Sequence, residues 1–358
     1  MKKILLGSSA LTLASAAATG ASAAEWDLDW GGFFEAGVAV SSFDADQGDG
    51  DFDGFDVVQD SEIIFTPSIT LDNGLKFGVD IQLEGNTSGD TIDESFIFIK
   101  GSFGEVLIGS ENSAGYKMTF AAPDTTWINI NSGSTSQFIP WATGFRTIRE
   151  TSFLEVDGNN DAQRLTYFTP RFSGFQLGAS YARDGNEGGG QADLDVELGN
   201  IFDVGANYVN SFGGFDVAIS GRYGTADAAG AGDDPDIYSV GLNLGFAGFK
   251  VGGSFASQDG GSAVNEGDFF DVGVSYATGP WAASLTYSES DGDDGTENMR
   301  IIGGASYKLG PGVKAGIYAG YAENDRVGTS TNADTGLVTI TTPSGEGFYL
   351  GTGVKLNF

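Results

Sequence analysis

Residues 309–322 read Leu-Gly-Pro-Gly-Val-Lys-Ala-Gly-Ile-Tyr-Ala-Gly-Tyr-Ala. A tight Gly-Pro-Gly break is followed by strict alternation. Val313, Ala315, Ile317, Ala319 and Tyr321 share one face; Lys314, Gly316, Tyr318 and Gly320 share the other. Successive side chains of a strand project to opposite faces, so this stretch predicts a strand with one apolar and one small or polar face. The pattern recurs upstream. In 75–84, Leu75, Phe77, Val79, Ile81 and Leu83 oppose Lys76, Gly78, Asp80, Gln82 and Glu84. Tyr238, Val240, Leu242, Leu244 and Phe246 likewise oppose Ser239, Gly241, Asn243 and Gly245.

Short Gly-centred turns punctuate these segments at 71–74, 103–104, 172–175, 212–215, 246–249, 278–281 and 309–312. They recur about every 30–40 residues, the length of two strands, a long loop and a short turn. One interval, between 104 and 172, is about twice as long, so one hairpin carries an extra piece. In a soluble sandwich the apolar faces would meet in a core, whereas in a membrane barrel they face lipid and the polar faces line a lumen. Three features favour the barrel. The polar faces are uniformly Gly, Ser, Asn and isolated charges. Phe103, Phe172, Phe175, Phe212, Phe215, Phe246, Phe249 and Trp281 cluster at the short turns, as an interfacial aromatic girdle does. The chain ends inside an alternating segment, 347–358, positioned to pair with the first strand.

The expected fold is therefore all-β, an antiparallel up-and-down transmembrane barrel of about 16 strands. The expected spans are 30–43, 58–71, 75–84, 92–100, 104–110, 161–170, 174–183, 200–211, 215–224, 236–246, 249–258, 268–277, 281–289, 298–308, 313–322 and 347–358. Long polar loops, among them 44–56, 184–195 and 323–346, occupy the rim opposite the short turns. That asymmetry assigns short turns to the periplasm and long loops to the exterior.

Composition narrows the function. The chain of 358 residues has neither His nor Cys, so Ser-His-Asp and Cys-His nucleophile systems and His- or Cys-ligated zinc are excluded. An enzyme is not expected. A formal net charge of −32 argues against nucleic acid as a partner. Lys2 and Lys3, the apolar run Ile4–Ala18 and Ala21-Ser22-Ala23 read as a signal peptide over 1–23, leaving 24–358 as the barrel.

The run Gly101-Ser-Phe-Gly-Glu-Val-Leu-Ile-Gly-Ser110 resembles the strand-turn-strand before loop 3 of Gram-negative trimeric porins. Arg164-Leu-Thr-Tyr-Phe-Thr-Pro-Arg-Phe-Ser-Gly-Phe-Gln-Leu-Gly-Ala-Ser-Tyr181 is similar to strands 6 and 7 of the alphaproteobacterial general diffusion type. Phe358 matches the C-terminal aromatic assembly signal of outer-membrane proteins. The resemblance implies a homotrimer in the outer membrane of a Gram-negative bacterium, in contact with lipid and lipopolysaccharide and inserted by the barrel assembly machinery. It also implies an inward-folded loop 3 that narrows a diffusion channel for small hydrophilic solutes. The enteric loop tip Pro-Glu-Phe-Gly-Gly-Asp is absent, so eyelet residues are not carried over.

The long interval, about 111–160, is the expected constriction loop. Asp124, Glu150, Glu155 and Asp157 are its candidate carboxylates, expected to face lumenal arginines across a narrow opening. By strand parity Arg164, Arg222 and Arg300 point inward, as do Glu35, Glu62 and Asp80. The acidic excess points to mild cation preference. Arg171, Lys250, Lys308, Lys314 and Lys355, near the short-turn rim, read as interfacial anchors. Asp49-Gly-Asp51-Phe-Asp53-Gly54, with Asp60 twelfth, resembles the front of a calcium loop but has Asp in place of the bidentate Glu. Ca²⁺ is thus a candidate ligand of an acidic outer loop, and no other cofactor is expected. Two further readings stay open: a solute-selective channel with a lumenal binding site, and a non-conducting structural or adhesive barrel.

Overall fold

The structure, a computed structural model, describes residues 25–45, 52–85, 91–126, 138, 148, 150–188, 190, 193–195, 197–228, 232–262, 265–325, 328–331, 338–342 and 344–358. The expected signal peptide lies outside these. The strands are β1 (Asp27–Ala45), β2 (Gly54–Thr70), β3 (Lys76–Gly85), β4 (Ile92–Gly101), β5 (Gly104–Ser110), β6 (Gln163–Phe168), β7 (Phe175–Asp184), β8 (Gly199–Phe212) and β9 (Phe215–Asp227). They continue as β10 (Asp236–Phe246), β11 (Phe249–Asp259), β12 (Gly267–Thr278), β13 (Trp281–Gly292), β14 (Glu297–Gly310), β15 (Val313–Asn324), β16 (Gly328–Thr331), β17 (Val338–Thr342) and β18 (Gly345–Asn357). One short helix, α1 (Ala114–Met118), follows β5.

Sixteen antiparallel strands, β1–β15 and β18, close into a barrel in which β18 pairs with both β1 and β15. Each expected strand is present. Closure is sealed at the C-terminus, where the Phe358 and Gly32 backbones exchange two hydrogen bonds of 3.1 Å. The edge problem of an open sheet is thereby removed. The segment 323–346, expected as an irregular loop, instead contains the hairpin β16–β17. Seven of its nine strand residues, Thr329, Thr331, Val338, Thr339, Ile340, Thr341 and Thr342, are β-branched, which favours extended backbone.

Burial alternates as the sequence pattern requires, but with the sense of a membrane barrel. Val240, Leu242 and Leu244 are exposed outward, while Ser239, Gly241 and Gly245 on the same strand are buried inward. The short-turn aromatics also face outward: Phe172 is 79% and Trp281 58% exposed. Several are paired, as Phe215 with Phe246 (4.3 Å between ring centroids) and Trp281 with Tyr307 (4.5 Å). The apolar clusters that are buried lie inside the barrel, between the wall and the segment after β5. One joins Leu154 and Val156 of that segment to Ile201, Ile237, Ala256 and Phe269 of the wall.

Candidate functional site

Ser113 starts the inward turn by capping α1, its Oγ accepting from Tyr116 N at 3.2 Å. From there the chain crosses the inner wall strand by strand. Ala114 N donates to Ser180 Oγ on β7 (3.1 Å), and Gly115 N donates to the Asp203 carboxylate on β8. Phe120 N reaches Ser220 Oγ on β9 (2.9 Å), and Asn243 Nδ2 on β10 donates to Ala121 O (3.0 Å). Ala122 N then donates to Asp271 Oδ1 on β12 (2.9 Å), and Thr125 N to Ser284 Oγ on β13 (3.1 Å). Thr125 O accepts from Ser306 Oγ on β14 (3.3 Å) and Lys314 Nζ on β15 (3.2 Å). Irregular backbone inside a barrel must find partners for its N–H and C=O groups. Here short polar side chains, usually one per strand, supply them. Small residues also let the loop lie close. A Cβ added at Gly241 would collide with the Phe120 carbonyl oxygen. Gly241→Ala is therefore expected to lift this segment off β10 and lower thermal stability by about 1–3 kcal/mol, the usual cost of overpacking, read by circular dichroism; stability equal to wild type would show that the contact does not hold the loop.

The return limb is fixed from beneath by buried arginines. Arg222 on β9 donates to Leu154 O and to Asp203, and both side chains of the ion pair are 1% exposed. Arg164 on β6 pairs with Glu155 at 3.7 Å, and Glu155 also accepts from Ser113 N at 2.7 Å. Arg300 on β14 donates to Glu150 O. Ser152 Oγ and Ser254 Oγ on β11 are 2.7 Å apart. Phe138 stacks on Tyr318 (5.8 Å) and packs against Tyr349 (5.4 Å), at β15 and β18.

This arrangement corrects the expected transverse pairing. Arg164, Arg222 and Arg300 do point inward, yet they lie behind the loop and hold it. Arg164 contacts the Glu155 carboxylate directly, and Arg300 contacts the Glu150 backbone. Asp124 is turned to Thr126 and Ser284, accepting at 2.8–3.1 Å, and burial pushes its carboxyl above the usual range against those hydrogen bonds. Asp157 accepts from Ser262 N (3.0 Å) and Asn265 Nδ2 (2.9 Å), tying the loop to the β11–β12 connection. Burial likewise raises the Glu111 carboxyl, although Lys117 at 2.6 Å opposes the shift. Desolvation makes isolated charges costly here, which is why the loop's charges turn to partners.

The loop's described contacts run from β4, where Asn112 Nδ2 donates to Glu94 and Ala114 and Met118 pack with Phe96 and Phe98, round the wall to β15, and Phe138 packs with Tyr349 of β18 and with Ala39 and Phe43 of β1. The lumen faces of β1–β3 carry the other candidates. Glu35 is bonded to Lys355. Asp80 accepts from Thr66 Oγ1 (3.2 Å) and Gln82 Nε2 (3.0 Å). Glu62 opposes Glu84 across β2 and β3 and lies within electrostatic range of Asp60, Asp80 and Asp93. The loop itself has half-exposed Tyr116, Phe120 and Phe153 and exposed Lys117, whose Nζ lies 5.7 Å from the Phe96 ring of β4. Lys314 and Lys355, expected as interfacial anchors, face the lumen because their strand parity matches Tyr318 and Tyr349.

The wall anchors Ser180, Asp203, Ser220, Asn243, Asp271, Ser284 and Ser306 went unnoticed in the sequence. Each reads as an ordinary solvated lumen residue. The one available signal is the recurrence of a short polar side chain at inward parity on successive strands. Of the candidate calcium loop, Asp53 and Asp60 are among the described residues. Asp53 Oδ1 accepts from Phe43 N at 2.8 Å, and Asp60 lies well along extended β2, roughly 20 Å from Gly54 at the rise of a strand. Two such residues cannot share one ion; Asp49 and Asp51 lie outside the described residues. Among the described residues no cluster of three or more acidic side chains could hold a metal.

A family model described as Gram-negative porin matches residues 10–329. Among solved structures, an anion-selective porin from Comamonas acidovorans aligns with a TM-score of 0.63 at 19% identity, over 93% of this chain and 100% of that one. The trimer form of the outer membrane protein OmpT of Vibrio cholerae gives 0.59 at 15% identity, over 93% and 99%. At such identities the likeness is one of fold. A Rickettsia conorii protein is 30% identical over 142 residues, which are 34% of this chain and 32% of the relative. The chain thus spans about a third of the length of the curated relatives it matches.

Proposed function

This chain belongs to the Gram-negative porin family, and from that premise we propose that it forms a water-filled channel through which small hydrophilic solutes and ions diffuse passively, with preference for cations. As a porin it is an integral β-barrel of the outer membrane. The observation that carries the proposal is a loop anchored along the inner wall together with a cluster of carboxylates on the lumen face of β2 and β3. On this reading the loop narrows the lumen, and Asp60, Glu62, Asp80 and Glu84 line it. Carboxylates lining an aqueous constriction enrich cations and repel anions. The Comamonas porin is described as anion-selective; the sign of this wall argues for the opposite selectivity here.

The proposal includes removal of residues 1–23 as a signal peptide, insertion by the assembly machinery through the strand ending at Phe358, and a homotrimer set among lipid and lipopolysaccharide. Planar-bilayer recording tests channel and assembly together. Large conductance that closes in three equal steps is expected, with a reversal potential in a KCl gradient displaced toward the potassium equilibrium potential. The triple variant E62Q/D80N/E84Q is expected to lower the cation-to-anion permeability ratio by about threefold. An anion-directed reversal potential in the wild type would refute the cation preference, and absence of conductance would refute the channel.

A further inference from the structure

Two carboxyl groups meet at the root of the loop. Glu94 projects inward from β4 and Glu111 follows the last residue of β5; they are 7% and 0% exposed. Asn112 touches both, its N donating to Glu111 Oε1 (3.0 Å) and its Nδ2 to Glu94 Oε1. Lys117 Nζ donates to the same Glu111 oxygen (2.6 Å), and Gln82 Nε2 donates to Glu94 Oε2 (2.5 Å). Glu111 Oε2 and Asn112 Oδ1 are buried and accept from no protein donor among the described residues. The Glu94 carboxyl lies within hydrogen-bonding reach of the Glu111 carboxyl. Two acceptors cannot bond each other without a proton between them, and like charges this close do not both ionise when buried. Lys117 is the one cation bonded to the pair among the described residues. Asp80 and Glu84 flank Gln82 on the lumen face of β3, and Asp93 precedes Glu94 on β4. On β5 the inward charge is Glu105, paired with Lys100, and behind the loop Glu155 is paired with Arg164.

We propose that Glu94 and Glu111 hold one proton between them, and that this proton is a latch on the root of the loop, fastened at neutral pH and released as the medium turns alkaline. Its effect on current rests on the channel reading above. With the proton in place the pair carries one negative charge, matched by Lys117, and the carboxyl O–H joins β4 to the loop. Loss of the proton leaves two like charges in contact, and their repulsion drives residues 111–118 off β4 toward the pore axis. Burial raises the Glu111 carboxyl above the ordinary carboxylate range, so the folded protein holds the proton more tightly than the unfolded chain does. The stability this contributes is full below the ordinary carboxylate range, falls as pH rises, and is gone once pH passes the folded value. The chain has neither His nor Cys, so few unperturbed groups titrate between about pH 6 and pH 9 to mask the release.

Infrared spectra of the folded barrel are expected to contain a protonated-carboxyl component at about pH 6 that is lost at about pH 9.5 and is missing from both E94Q and E111Q. Over the same interval the wild-type single-channel conductance is expected to fall about 1.5-fold, and the thermal midpoint by about 2–4 °C. E94Q keeps a donor toward Glu111 and removes the titrating pair, so both readouts are expected to lose this change; Asp124 and the other buried carboxyls titrate alike in the two proteins. E111Q, in which Lys117 is left to Glu94, repeats the comparison should E94Q fail to assemble. Wild type and variants that change alike with pH overturn the latch and leave the channel reading standing, as does a folded wild-type barrel without the infrared component. Absence of conductance overturns the channel reading, and the infrared and thermal readouts then decide the proton.

Discussion

Deletion of residues 120–150 is expected to raise single-channel conductance roughly two- to threefold, because a sixteen-stranded barrel without its internal loop is an open aqueous channel. Tyr116 and Phe153 flank the excised piece with their ring centroids 5.5 Å apart, so the two stubs already touch through their side chains. The deletion removes the contacts to Ser220, Asn243, Asp271, Ser284 and Ser306 and exposes β10–β15 to the lumen. The α1 contacts to β7 and β8 stay, so the barrel has a partly supported inner wall on which to fold. The cation preference should fall, since the acidic wall would border a wider opening and water would screen it more fully. Conductance equal to that of the wild type would show that the segment does not narrow the pore.

Replacing Asp203 by Ala is expected to cost about 3–5 kcal/mol of stability, the usual penalty for stranding one member of a buried ion pair. Arg222 would keep its charge between loop and wall with, among the described residues, Leu154 O and Ser113 Oγ as its hydrogen-bond partners, and Gly115 N would lose its acceptor. Thermal unfolding followed by circular dichroism or heat-modifiable migration reads the loss. The double variant D203L/R222M should lie much closer to the wild type, because removing both charges also removes the desolvation cost. A single variant as stable as the wild type would show that the pair does not hold the loop. A double variant as unstable as D203A would show that packing, not charge, sets the penalty.

The barrel is legible in the sequence wherever one strand has two chemically different faces. Val313 to Tyr321 declares its parity at once, and a one-residue slip would put Lys314 in lipid. Turns such as 212–215 are legible because Gly213 and Gly214 adopt positive φ in a tight hairpin, which other residues resist. The long interval after β5 is legible as an insertion from the missing turn alone. Its aromatics also indicate that it does not hang in water.

The site is only half legible. Parity orients Arg222 and Glu62 correctly toward the lumen but says nothing about what lies above each. Arg222 is sealed beneath the loop, whereas Glu62 is grouped with Glu84, Asp60, Asp80 and Asp93. The contacts that make the difference join residues far apart in sequence, from 66 positions for Ala114 and Ser180 to 189 for Thr125 and Lys314. No local pattern encodes such a path.

The amino-acid order by itself thus determined the number of strands, their inward and outward faces and the position of the constricting loop, because side-chain alternation and turn chemistry act over a few residues. Only the tertiary structure decided which charges the water sees. Closing the ring brings the loop against the inner wall, where desolvation forces its charged groups into partnerships with side chains of distant strands. The carboxylates of β2 and β3 are gathered on one lumen face, Glu62 opposite Glu84.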